Sequence, residues 1–321
     1  MSMFLLKPAV KKTIWGGTKL KSNYNIETEL DSVAEAWVLS CHPDGESTIV
    51  GTEYDGMTLS SAINMLGKDA LGSRCKDCVD FPILIKLIDA KDKLSIQVHP
   101  DDAYAQANEK DKRGKTEAWY ILDSDKDASL IYGFKENITK QQFEESIVNN
   151  TLLDYVNSTV VKPGDVAFIK SGTLHAIGAG ILLAEVQQSC NTTYRVYDYN
   201  RPGLDGKPRE LHIKKAVDVT NCVIPDRDLS PEGETVIKDG YSETLLCECE
   251  YFNMTAVEVT ENFTSMADDE SFVSVIVLDG NGVISCQSES IEIKKGNSIF
   301  ITASSGEYTV SGRCKLLISR V

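Results

Sequence analysis

Val161-Lys162-Pro163-Gly164-Asp165-Val166-Ala167-Phe168-Ile169 decides the class of this chain. Pro-Gly-Asp is a turn, and the branched and aromatic residues behind it read as a strand. A Gly-bounded loop over 170–178 then carries His175, and residues 181–188 return as another strand. The same spacing recurs in Lys294-Lys295-Gly296-Asn297-Ser298-Ile299-Phe300-Ile301, and in that register Glu307 falls where His175 stands. The echo predicts two β-barrel units of one architecture, the second without the histidine. Beyond about Pro225 the chain turns acidic and Ser/Thr-rich and contains no histidine. A division into residues 1–225 and a smaller unit, 226–321, is therefore expected.

Upstream, Lys93-Leu94-Ser95-Ile96-Gln97-Val98-His99-Pro100 alternates apolar and polar residues, the period of a half-buried strand. That puts Gln97 and His99 on one face, and Pro100, lacking an N–H, ends the strand. Ala34-Glu35-Ala36-Trp37-Val38-Leu39-Ser40 is a further strand, with Glu35 and Trp37 sharing a face. There Glu35 is either a buried acid beside an aromatic or a solvated edge residue. Residues 81–88 form a strand with Lys86 among branched apolar neighbours, so Lys86 snorkels out or points into a pocket. In Gly114-Lys115-Thr116-Glu117-Ala118-Trp119, Lys115, Glu117 and Trp119 share a face. Helical insertions are expected at about 58–71, opened by a Thr or Ser cap, and within 101–158, with helices over 103–112 and from 135 to about 158.

Composition narrows the function. A net charge of −15 argues against nucleic acid, whose backbone needs basic patches, and against an anionic membrane surface. Apolar runs such as residues 81–85 are too short to span a bilayer. Residues 1–6 lack a basic flank and a cleavage site, so a cytoplasmic protein is expected. Nine scattered cysteines fit reduced thiols. Cys75 with Cys78, and Cys247 with Cys249, resemble zinc half-sites, yet no second spaced pair stands near either.

Three segments each offer a metal ligand: Gln97 with His99, then Glu117, then His175. Two imidazoles and a carboxylate suit Zn²⁺ or a similar divalent ion, and three protein ligands leave a position open for chemistry. From the residues alone, the alternative is that these side chains never meet, because spacings of 18 and 58 residues are no short metal motif.

Gln97-Val98-His99-Pro100, Lys115-Thr116-Glu117, Gly172-Thr173-Leu174-His175-Ala176 and Thr192-Thr193-Tyr194-Arg195-Val196-Tyr197-Asp198-Tyr199 together resemble the type I mannose-6-phosphate isomerases, in their short bacterial form. The resemblance runs in order from Trp15-Gly16-Gly17 to Arg209-Glu210-Leu211-His212, roughly two thirds of the chain. It implies a mainly β cupin, or jelly-roll, barrel with helical insertions and a second, degenerate cupin-like barrel. It implies interconversion of mannose 6-phosphate and fructose 6-phosphate through an enediol, with one divalent metal, zinc before others. Carried over by motif, the ligands are His99, Glu117, His175 and, least securely, Gln97, and the active-site arginine is Arg195. No nucleic acid, membrane or obligate protein partner is implied.

Lys115 shares the face of Glu117 and is expected to touch the substrate or its phosphate; Lys86 and His212 are further pocket candidates. These cations would make a locally positive pocket in an acidic protein. The chain departs from the family pattern at Asn191, where an Asp usually stands four residues before the arginine. Asn does not titrate, so the proton-transfer group stays open among a metal-bound hydroxide, His99, Lys115 and Glu185. The departure leaves a non-catalytic cupin that binds a sugar phosphate, or an isomerase of a related sugar phosphate, as alternatives.

Overall fold

Side-chain alternation sorts the chain into layers in the computed structural model, which describes residues 2–110 and 112–321. A six-stranded antiparallel sheet runs Val166–Ile169, Glu117–Ser124, Ile181–Gln188, Ile83–Ala90, Glu35–Leu39, Ala9–Lys11. A five-stranded antiparallel sheet runs Tyr194–Tyr197, Ile96–Val98, His175–Ile177, Ser129–Phe134, Val156–Val160. They pack face to face: Ile88, Trp119 and Leu183 of the first share a buried cluster with Leu130, Tyr132 and Ile177 of the second. The period of two then assigns opposite faces. Lys86 looks towards the five-stranded sheet, whereas Ile85 and Leu87 look away, into a cluster with Leu246, Phe252, Phe272 and Phe300. Helices cover the far side of the five-stranded sheet, where Phe143, Leu152 and Ala216 pack on Val98, Ala176 and Val196.

The third sheet has ten strands. Eight lie between Val236 and Arg320, but Met3–Lys7 pairs with Ser298–Ile301 on one side and with Thr48–Val50 on the other. The expected division at 225 therefore does not follow the sheets. Phe4 and Leu6 enter the cluster shared with the six-stranded sheet, while Met3 enters the core on the opposite face of the ten-stranded one. An apolar strand that buries both faces belongs in the middle of a sheet, and the place open to it lies beside Ser298–Ile301.

The helical insertions are shorter than their patterns. Leu59–Leu66 is capped by Thr58 Oγ1, which accepts from Ser61 N, and ends at Gly67 with φ +88°. The helix expected over 103–112 spans Asp102–Asn108, and Asp111 lies outside the described residues. Residues 101–158 hold two whole strands and the start of Val156–Val160 as well as the helices Lys140–Val148 and Leu152–Tyr155.

The internal echo is a repeated turn. Lys162 N donates to Asp165 Oδ2 and Lys294 N to Asn297 Oδ1, each at 2.9 Å, with Gly164 and Gly296 at φ +97° and +93°. Glu307, however, is exposed where His175 is fully buried, so the second turn feeds no site.

Candidate metal centre and substrate cavity

Two rows of side chains face each other across the gap between the first two sheets. In the five-stranded sheet, Arg195 pairs with Gln97 and Gln97 with His175, so three neighbouring strands present these residues side by side. In the six-stranded sheet the row is Trp119, Glu185, Lys86, Trp37, with Glu117 two residues before Trp119.

His99, Glu117 and His175, all within 1% of full burial, converge so that one ligand atom from each lies within 4.8 Å of the others. His99 Nδ1 is 2.9 Å from Thr192 O, and His175 Nδ1 is 2.8 Å from Thr173 O. A carbonyl only accepts, so both Nδ1 atoms carry the proton and both Nε2 lone pairs are left for another partner. Those Nε2 atoms point at Glu117, at 3.6 Å from Oε2 for His99 and 3.4 Å from Oε1 for His175. Lys115 Nζ stands 2.7 Å from Glu117 Oε2 and 3.2 Å from His99 Nε2. Even so, neither Glu117 oxygen receives a well-aligned hydrogen bond, although both are fully buried. Two imidazole lone pairs and an unsatisfied buried carboxylate are the donor set of a tetrahedral metal site. Gln97 Nε2 lies 3.4 Å from His175 Nε2; the same amide turned over would present an oxygen there.

Burial lowers both histidines, His99 well below its ordinary value and His175 to about 4, so both rings are neutral near pH 7. Burial, followed by the charge of Glu185, raises Glu117 to about 7 against the pull of Lys115 and Lys86. Glu185 would be raised by burial too, but Lys86 and Lys115 hold it down to about 2. Lys86 Nζ sits 2.9 Å from Glu185 and 3.5 Å from Glu35, while Trp119 and Trp37 donate to the same two carboxylates. Glu35 is thus no solvated edge residue.

Beside the ligand group opens a cavity of about 360 Å³. Lys86, Lys115, Arg195 and Arg209 line it against Glu35 and Glu185, so the wall is net positive in a chain of net charge −15. Arg195 Nε donates to Ser95 Oγ (3.1 Å) and Nη1 to Glu210 O (3.0 Å); among the described residues no carboxylate forms an ion pair with it. Arg209, by contrast, clasps Asp198 through Nε and Nη2 at 2.7 and 2.6 Å. His212 is on the wall, its Nδ1 accepting from Arg195 N at 3.3 Å. All eight expected site residues therefore meet: three at the metal-capable group, and Gln97, Lys86, Lys115, Arg195 and His212 on the cavity wall. Asn191 is also there and donates to Asp44 Oδ2 at 2.8 Å.

Sequence reasoning missed Ser95, Arg209 and Asp44. Ser95 was legible, since it shares the alternation that aims Gln97 and His99 inward; Asp44 lies on a remote loop. The cysteine pairs form no metal-capable group among the described residues, and all nine cysteines are free. A larger cleft, of about 490 Å³, lies between the six- and ten-stranded sheets, but its lysines are paired with Asp279 and Glu258. Among the described residues no helix is long and apolar enough to cross a membrane.

Comparison with known proteins matches residues 3–129 to the family model for the phosphomannose isomerase type I catalytic domain, and residues 242–321 to that for the mannose-6-phosphate isomerase cupin domain. The chain is 36% identical to mannose-6-phosphate isomerase ManA of Bacillus subtilis, over 98% of each chain. It is 32% identical to the mannose-6-phosphate isomerase of Streptococcus mutans, over 98% of this chain and 96% of the other. The crystal structure of the mannose 6-phosphate isomerase from Bacillus subtilis superposes with a TM-score of 0.92 at 35% identity, covering 100% of both chains. A zinc-bound mannose 6-phosphate isomerase, 19% identical, shares the fold with a TM-score of 0.80 over 99% of both chains.

Proposed function

The chain belongs to the type I mannose-6-phosphate isomerases, and from that premise we propose how its own residues divide the reaction. It interconverts mannose 6-phosphate and fructose 6-phosphate. We assign one zinc ion to His99, Glu117 and His175, with Gln97 next to them. The observation that carries this is the convergence of two Nε2 lone pairs on a buried carboxylate that receives no well-aligned hydrogen bond. Bound there, a divalent ion supplies a positive charge that polarises or orients sugar oxygens.

The protein's share is electrostatic and steric. Isomerisation passes a proton between C1 and C2 through an enediol, so negative charge grows on two neighbouring oxygens. Arg195, held from behind by Ser95 and the Glu210 carbonyl and in no ion pair among the described residues, aims its guanidinium into the cavity where that charge or the phosphate lies. Lys115 Nζ reaches both the ligand group and the cavity, and so donates to a sugar oxygen close to the ligands. Lys86 is fixed between two carboxylates, where it balances their charge. Glu185, held near 2, is too weak a base to accept a proton at neutral pH, which removes it from the candidates for proton transfer.

The test is an elemental analysis joined to an assay on mannose 6-phosphate. Expected are about one zinc per chain, loss of turnover on dialysis against a chelator, and recovery on zinc addition. A folded, metal-loaded protein that leaves mannose 6-phosphate untouched would overturn the assignment.

A further inference from the structure

Asp102 follows His99 by three residues, and its carboxylate is a junction. Oδ1 accepts from Gly114 N at 2.7 Å, both oxygens lie 3.2 and 3.3 Å from Gln188 Nε2, and Oδ2 accepts from the Tyr251 hydroxyl at 2.9 Å. Gln188 in turn accepts from Thr116 N at 2.8 Å, and Lys115 N donates to Pro100 O at 3.0 Å. The strand that carries Glu117 begins at Glu117, so residues 114–116 lie past its end, tied to the neighbouring strand by Gln188 N, which donates to Thr116 O at 3.0 Å. Their position comes from these bonds. The approach is close: a Cβ at Gly114 would lie 2.5 Å from the Asp101 carbonyl carbon and Asp102 N, so only glycine fits. Asp102 thereby stitches the end of the His99 strand to the start of the Glu117 strand, through hydrogen bonds to a charged acceptor. Tyr251, for its part, sits in the turn between the strands Tyr241–Glu248 and Asn253–Val259 of the ten-stranded sheet.

We infer that Asp102 is a positioning residue for the metal ligands, and that Tyr251 makes the ten-stranded sheet a working support of the active site. The inference rests on the zinc assignment above. Groups behind a ligand hold it at the metal's distance and angle, and removing one weakens metal binding by about 10- to 100-fold. Asp102 acts on two ligand-bearing segments at once. Tyr251 holds the carboxylate from the other side, so that it does not turn towards solvent.

The experiment uses the full chain loaded with zinc, and measures zinc retained against a graded chelator alongside kcat and KM. Asp102→Ala is expected to weaken zinc retention by about 10- to 100-fold and to lower kcat with KM unchanged. Asp102→Asn, which keeps an acceptor for Gly114 N, recovers part of both. Tyr251→Phe removes one hydroxyl and is expected to weaken retention by about 2- to 10-fold, the worth of one hydrogen bond. Wild-type retention and kcat in Asp102→Ala overturn the inference. So does a change confined to the thermal midpoint, because that is the mark of a merely structural residue. Should Asp102→Ala fail to fold, Tyr251→Phe decides alone, and wild-type retention in it overturns the part given to the ten-stranded sheet. A wild-type protein that takes up no zinc is a separate failure, of the metal assignment, and shows before any variant is made.

Discussion

At the scale of single residues, the site is a set of protonation states fixed by hydrogen bonds. Each ligand histidine donates an Nδ1–H hydrogen bond to a backbone carbonyl, so no rearrangement is needed before Nε2 binds a metal. His175→Ala should therefore lose metal and turnover together, by more than the about 10- to 100-fold that a supporting residue is worth. Arg195→Ala should keep its zinc and lose about 10²- to 10³-fold in kcat; near wild-type turnover would remove Arg195 from the mechanism. Glu117 gives a pH dependence. Its pKa in the metal-free fold is raised from 4.5 to about 7, so its contribution to metal-free stability is present below 4.5 and lost as pH rises through 7. Zinc needs the ionised carboxylate. Uptake at pH 7 should release about half a proton, rising towards one near pH 6, and affinity should fall as pH drops below 7. Calorimetry of zinc binding in two buffers of different ionisation enthalpy measures that proton, and an absence of release would contradict the raised value. These residues were legible in the sequence because strand alternation aims Ser95, Gln97 and His99 one way, and Lys115, Glu117 and Trp119 one way. The Arg209–Asp198 clasp and the Asn191–Asp44 bond were not, since pairing between loops leaves no periodic trace.

At the scale of elements, what the sequence showed was type and order, and what it blurred was ends. Helix formers run on past Leu66, but Gly67 adopts φ +88° and stops the helix, a conformation that side-chain periodicity does not report. The strand expected from Lys93 is laddered only over Ile96–Val98, although Leu94 N still donates to Ile177 O and the Ser95 hydroxyl accepts from Arg195. The helix expected from 135 begins instead at Lys140 and ends at Val148, and its start has a reason visible in the residues. Thr139 Oγ1 accepts from Gln142 N at 3.1 Å, and Gln142 Oε1 accepts from Thr139 N at 2.8 Å, a reciprocal cap. Thr139→Ala should cost about 1 kcal/mol in stability, read from denaturant unfolding, with kcat and KM unchanged. The helix packs on the outer face of the five-stranded sheet through Phe143, away from the cavity, so an equal loss of activity would show that this outer layer tunes the site.

At the scale of the whole molecule, the chain is read most easily as two units and is built as one. The first strand lies inside the ten-stranded sheet, and a single cluster joins that sheet to the six-stranded one. At its centre Phe81 packs 5.0 Å from Phe272 and 6.2 Å from Phe300, ring centre to ring centre, with Phe4 stacked on Phe300 at 6.4 Å. Sequence reasoning saw the apolar run at residues 1–6 but placed it in the first unit, because which sheet an apolar strand joins depends on partners far along the chain. The arrangement predicts one cooperative unfolding transition. Melting followed by the ten-stranded sheet's tyrosines and by release of zinc should give the same midpoint, and two separated midpoints would contradict a shared core. Phe81→Ala removes a ring from that core and should cost about 3–5 kcal/mol. Because the ring joins the two sheets, it should lower both midpoints together, although Phe81 touches neither the metal ligands nor the cavity wall.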